Sequence, residues 1–93
     1  MKVRLLGVFR GLSGKGGFLL RLKEPTPVRE VVQRLVEPLS SEFKRVLIDS
    51  EFEDPRPNAL ILLNGREVSV LRGLETEVCD GDEVTIIPVS HGG

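Results

Sequence analysis

Apolar and polar positions change rhythm several times along this chain, and each rhythm predicts an element. Residues 2–10 alternate: Val3, Leu5, Gly7 and Phe9 share one face, and Lys2, Arg4, Leu6, Val8 and Arg10 the other. That period of two predicts a strand. Residues 11–17, Gly-Leu-Ser-Gly-Lys-Gly-Gly, form a glycine-rich turn. Residues 18–23 alternate again, with Phe18, Leu20 and Leu22 opposite Leu19, Arg21 and Lys23. Strand, short turn and strand predict an antiparallel hairpin.

The rhythm then changes to that of a helix. Thr26 is the expected N-cap and Pro27 the first helical residue, where a missing N–H costs nothing. Val28, Val31, Val32, Leu35 and Val36 fall on one stripe, and Pro38 ends it. Leu39, Phe43, Val46, Leu47 and Ile48 suit a short helix and an extended piece laid on the core. Residues 49–58 are acidic and then proline-rich, which predicts a loop. Ala59 to Leu63 is a continuous apolar run, expected to be a central strand buried on both faces. Asn64-Gly65 is a strong hairpin signal leading into residues 66–70. Residues 71–78 read as a connector lending Leu71, Leu74 and Val78 to the core. Asp80-Gly81-Asp82 reads as a turn, and residues 83–88 as the last strand.

A hairpin, a helix, a loop, an Asn-Gly hairpin and a final strand predict the β-grasp arrangement. This is an α+β fold with a mixed sheet of four or five strands and one main helix on one face. The first and last strands are expected to lie parallel in its middle. Residues 1–88 form the predicted domain. Residues 89–93, Val-Ser-His-Gly-Gly, form a predicted flexible tail.

Composition narrows the function. Ninety-three residues make one domain. A formal charge of -1 gives no dominant surface for nucleic acid or membrane, so neither is an expected partner. No apolar run reaches the roughly 18 residues of a membrane span. No signal-peptide pattern is visible. The single cysteine, Cys79, rules out an internal disulfide. A cytoplasmic location is expected.

The candidate chemistry is sparse. The glycine-rich turn lacks the first glycine and the Ser/Thr of a phosphate loop, since Phe9 and Gly16 stand there. Asp49, Glu51, Glu53 and Asp54 lack the spacing of a cation loop. Cys79 would need a base, and the only histidine, His91, lies near the end of the chain. No catalytic residue, metal or bound cofactor is expected. The tail stands out instead. Gly92 and Gly93 carry no packing information, but they leave the Gly93 carboxylate on a thin strand able to enter a narrow channel. Residues 90–93, fully extended, would reach roughly 13 Å at about 3.3 Å per residue.

The runs Leu63-Asn64-Gly65-Arg66-Glu67-Val68 and Asp80-Gly81-Asp82-Glu83-Val84, with the final Gly92-Gly93, resemble the ubiquitin-like sulfur carriers and protein modifiers. That group includes MoaD, ThiS, the ubiquitin-related modifiers and the small archaeal modifiers. The ending His91-Gly92-Gly93, and residues 56–64, look more like the ubiquitin-related modifiers. The stretch Ile87-Pro88-Val89 lacks one proline of the usual MoaD ending.

The resemblance implies that a ubiquitin-activating-type enzyme, using ATP and Mg²⁺, adenylates Gly93. Sulfur or a lysine amine then takes the activated glycine. Implied partners are that enzyme, a sulfur donor, and a sulfur acceptor such as a tRNA thiolase or the large subunit of molybdopterin synthase. Lysines of target proteins are a further implied partner. Gly92 and His91 would be read as tail-recognition residues. Leu6, Val8 and Ile87, on the sheet face away from the helix, would dock the partner. A β-grasp interaction module with an inert tail is the alternative of a different class.

Overall fold

A computed structural model describes residues 1–48 and 54–89. The elements, in chain order, are β1 (Lys2–Leu5), α1 (Gly7–Ser13), β2 (Gly17–Leu19), β3 (Thr26–Pro27), α2 (Val28–Val36) and α3 (Ser41–Leu47). They are followed by β4 (Ala59–Leu63), β5 (Arg66–Glu67), two 3₁₀ turns (Val68–Val70 and Gly73–Glu75), β6 (Glu77–Val78) and β7 (Glu83–Pro88). The main sheet runs β2-β1-β7-β4-β5, and β3 pairs with β6 in a small second sheet. β1 and β7 are parallel, with Val3 beside Val84 and Leu5 beside Ile86; the other pairs are antiparallel. This is the β-grasp topology, with first and last strands central as expected. One continuous core takes Val3 and Leu5 from β1, Ile61 from β4, Val84 and Ile86 from β7, and the apolar stripe of α2.

The first strand is shorter than its alternation suggests. Gly7 adopts φ +55°, a conformation that turns the chain off the sheet after Leu6. Residues 7–13 then form a helix, and Gly14, at φ +73°, closes it by donating its N–H to the Arg10 carbonyl at 3.1 Å. Phe9 faces the core as the strand pattern required, but from a helix. Its ring lies 5.7 Å from that of Phe43 on α3. A period of two and a period near four both place Leu5 and Phe9 on one side, so alternation alone did not separate them. β2 is shorter than the strand expected over residues 18–23, ending at Leu19, but the alternation of burial continues past it, with Leu19 81% exposed and Leu22 buried.

α2 buries all five predicted stripe residues. Its start differs from the expectation. Pro27 is the N-cap and Thr26 belongs to β3, opposite Val78. The Thr26 hydroxyl donates to the Glu24 carbonyl at 2.9 Å, and the Val28 N–H donates to the Thr76 carbonyl at 2.9 Å. The residue just before β6 thus satisfies a helix N–H that the cap was expected to serve. In α3, the Ser40 hydroxyl accepts the Phe43 N–H at 3.1 Å, a side-chain N-cap, and Phe43 and Leu47 are buried.

β4 is not buried on both faces. Ala59 and Ile61 are buried, but Leu60 is 40% exposed, because in a two-layer fold one face of the sheet has no helix over it. Asn64 (φ +50°) and Gly65 (φ +85°) make the predicted tight turn. β5 then ends after Glu67, since the 3₁₀ turn that follows takes Val68 into the core. The residue 80–82 turn and β7 fall where the sequence places them. No helix among the described residues is long and apolar enough to cross a membrane.

Asp80 ties the two ends of the domain together. Its Oδ1 accepts the Leu22 N–H at 3.1 Å and the Met1 ammonium at 3.1 Å. The Leu22 hydrogen bond first, and then that ammonium, hold its carboxyl below the usual carboxylate range. A carboxyl depressed in the folded state stabilises above its unfolded pKa, and the contribution fades as pH falls through the folded value. Asp80→Asn is therefore expected to be less stable than wild type at neutral pH. The gap should close below about pH 4, as chemical denaturation across a pH series will report.

Candidate functional site: the open sheet face and the tail exit

β7 lies between β1 and β4 and so fixes the position of Val89, the last described residue. Val84 and Ile86 point into the core, with at most 1% of their surface exposed. Pro88 lies opposite Ala59. A Cβ built on Gly7 would stand only 2.7 Å from Pro88 Cγ, so glycine is needed there both for φ and for room. The Val89 N–H donates to the Asn58 carbonyl at 3.1 Å. The Asn58 side-chain amide donates to the Leu47 carbonyl at 3.2 Å, at the end of α3. Asn58 thus joins the last turn of α3 to the point of exit. Gly92, Gly93 and His91 lie outside the described residues.

The face opposite the helices carries the other parity of each strand. Lys2 and Arg4 come from β1, Thr85 and Ile87 from β7, Leu60 and Leu62 from β4. Register sets Leu60 opposite Ile87 and Leu62 opposite Thr85. The result is a small apolar patch at the exit end of the sheet. At the other end Glu83 sits between Lys2 (4.0 Å) and Arg4 (3.7 Å).

The three docking residues named from sequence do not stay together. Ile87 is on this face and half-buried. Leu6 is half-buried and continues the parity of Lys2 and Arg4, its N–H donating to the Ile86 carbonyl at 3.2 Å. Val8 is 47% exposed, but it belongs to α1 rather than to the sheet, because Gly7 has redirected the chain. Leu60 and Leu62 were missed. An unbroken apolar run hides its parity, and the pairing of β4 with β7 is what reveals it.

The other candidates separate from this site. Cys79 is exposed, and its N–H donates to Asp82 Oδ2 at 2.7 Å in the turn that starts β7. It lies roughly 17 Å from the exit, the length of β7. Asp54 is engaged by Arg56, which donates from Nη2 to Oδ2 at 2.7 Å and from Nε to Oδ1 at 3.0 Å. Those bonds hold the Asp54 carboxyl below its usual range. Asp49, Glu51 and Glu53 lie outside the described residues. Among the described residues no cluster of His, Cys, Asp and Glu could hold a metal ion.

A β-grasp domain whose last strand runs up the middle of the sheet, past an apolar patch, has the build of the ubiquitin-like sulfur carriers and modifiers. The model of the ThiS family matches residues 3–93, and the chain belongs to that family. It is 30% identical over 93 residues to small archaeal modifier protein 3 of Haloferax volcanii, covering all of this chain and 98% of that relative. Urm1 of Trypanosoma brucei superimposes with a TM-score of 0.81 at 28% identity, over 99% of this chain and 93% of that one. Small archaeal modifier protein 1 of Methanosarcina acetivorans gives a TM-score of 0.79 at 30% identity, over 99% and 94%. Proteins of this family are small carriers and modifiers rather than catalysts.

Removal of the Asn58 amide takes this hydrogen bond from the carbonyl of buried Leu47. Asn58→Ala is expected to lower stability by about 1 kcal/mol, measured by denaturant unfolding, with the sheet otherwise intact.

Proposed function

We propose that this chain carries sulfur on the carboxylate of Gly93 and that a partner enzyme supplies the catalysis. A carboxylate resists attack because an oxide-like group would have to leave. Adenylation removes that obstacle. A Gly93 oxygen attacks the α-phosphorus of ATP, held with Mg²⁺ by a ubiquitin-activating-type partner, and pyrophosphate departs. A sulfur nucleophile at the hydrosulfide level then attacks the carbonyl carbon, and AMP leaves with the former carboxylate oxygen. The product is a thiocarboxylate, whose sulfur passes to an acceptor. Attack by a lysine amine instead of sulfur gives an isopeptide bond and the same AMP.

The observation that carries this reading is the position of β7. Val89, from which the tail continues, follows a strand hydrogen-bonded on both sides, next to the patch formed by Leu60, Leu62 and Ile87. A partner that holds the patch also sets the start of the tail, and chain of roughly 13 Å then spans to its active site. The chain's own task is to be held and to present Gly93. Likeness to Urm1 and to the small archaeal modifiers favours a tRNA uridine as sulfur acceptor, with target-protein lysines as the conjugation branch. ATP and Mg²⁺ remain with the partner.

Deletion of Gly93 is expected to abolish ATP–pyrophosphate exchange by the activating enzyme from the same source, while leaving the unfolding midpoint unchanged. Leu60→Asp should raise the KM for this chain by roughly tenfold or more, with kcat little altered. Cys79→Ala should match wild type. Exchange that survives deletion of Gly93, or that is lost in Cys79→Ala, contradicts the reading.

A further inference from the structure

Charge is unevenly divided along this nearly neutral chain. Residues 1–23 hold six of the 13 cationic residues and none of the 14 acidic ones. These residues build β1, α1, β2 and the start of the connection to α2, so the imbalance becomes a cationic edge of the sheet. Lys2 and Arg4 are partly answered by Glu83. Arg10, Lys15, Arg21 and Lys23 have no ion pair among the described residues. Asp80 feels the charge of Arg21, but it is already bound by the Met1 ammonium and the Leu22 N–H.

β2 is the outer strand of this edge, with β1 its only strand neighbour among the described residues. The Leu5 N–H donates to the Gly16 carbonyl at 3.0 Å, and the Leu20 N–H to the Met1 carbonyl at 2.9 Å. Alternation of the antiparallel ladder therefore turns the N–H and C=O groups of Gly17 and Leu19 outward. Leu19 is the most exposed large apolar side chain among the described residues, at 81%. Cations stand at both ends of the strand. The Arg10 side chain lies over Gly16, its Cζ 3.4 Å from where a Cβ would stand, and Lys15 is adjacent in sequence. Arg21 and Lys23 follow the other end.

We propose that the outer edge of β2 docks an extended acidic peptide of a partner protein. Its apolar β-forming centre would be flanked on both sides by Asp or Glu, and it would add to the sheet as a sixth strand. The outward groups of Gly17 and Leu19 supply the main-chain hydrogen bonds, and Leu19 supplies an apolar contact. The flanking cations select for acidic ends and speed encounter, with a dependence on salt. The same cations act against a second copy of this chain. Two β2 edges laid side by side would bring like charges together, which is how edge cations usually protect a sheet. This edge lies two strands, roughly 10 Å, from β7, so its occupant need not be the enzyme that receives the tail.

The test uses the full-length, ¹⁵N-labelled protein and the probe acetyl-Glu-Asp-Val-Thr-Val-Asp-Glu-amide. Titration followed by NMR is expected to show saturable shifts centred on residues 16–23, with slowed amide exchange at Gly17 and Leu19. The double variant Lys15→Glu, Arg21→Glu should weaken binding about tenfold. A probe N-methylated on the amides that would meet β2 should not bind wild type. That arm decides the matter even if the charge-reversed variant fails to fold. The proposal is overturned if no saturable binding occurs, if the methylated probe binds as well, or if the shifts centre on Leu60 and Ile87.

Discussion

Pairing of β7 between β1 and β4 is the constraint on which the rest of this molecule depends. It joins the two ends of the chain in parallel, Lys2 beside Glu83 and Leu5 beside Ile86. Strands so far apart in sequence cannot be joined by a tight turn. Helices, β4, β5 and the 3₁₀ turns fill the path between them. Asp80 fastens the β1 end of that join through Met1 and Leu22. The consequence is that the C-terminal segment continues, through Val89, from a strand paired on both sides. Its origin is therefore fixed relative to the patch that a partner would read.

The parts of this design that were legible in the sequence are those where one local signal had one reading. The stripe of α2, the Asn64-Gly65 turn, the residue 80–82 turn and the span of β7 all appear where pattern alone placed them. The misreadings share a cause, which is that tertiary contacts chose between two local options. Leu5 and Phe9 fit a strand or a helix equally, and the left-handed Gly7 beside Pro88 settled the choice. Thr26 is a good cap, but pairing with Val78 drew it into a strand. Within Ala59 to Leu63, nothing distinguished Leu60 and Leu62 from their neighbours until β7 lay alongside. As a result, the sequence places Ile87 on the open face but not the leucines beside it, and it places Val8 on a face that Val8 does not occupy.

Division of labour follows from the same geometry. The described residues supply a rigid sheet, an apolar patch and a cationic edge, and no assembled set of nucleophile, base or metal ligands. Cys79 sits at the far end of β7 from the exit. In the proposed reading, activation chemistry that requires ATP belongs to a partner, and this chain contributes position.

The most direct test of the central claim is the intact mass of the protein purified from its own cells under non-reducing conditions, followed by treatment with iodoacetamide. The account predicts a species heavier by one exchange of oxygen for sulfur. That mass should localise to the C-terminal peptide, with alkylation on Gly93. If only the free carboxylate is found, even after incubation with the source's activating enzyme, ATP, Mg²⁺ and a sulfur donor, the carrier account is contradicted and the domain is an interaction module with an inert tail.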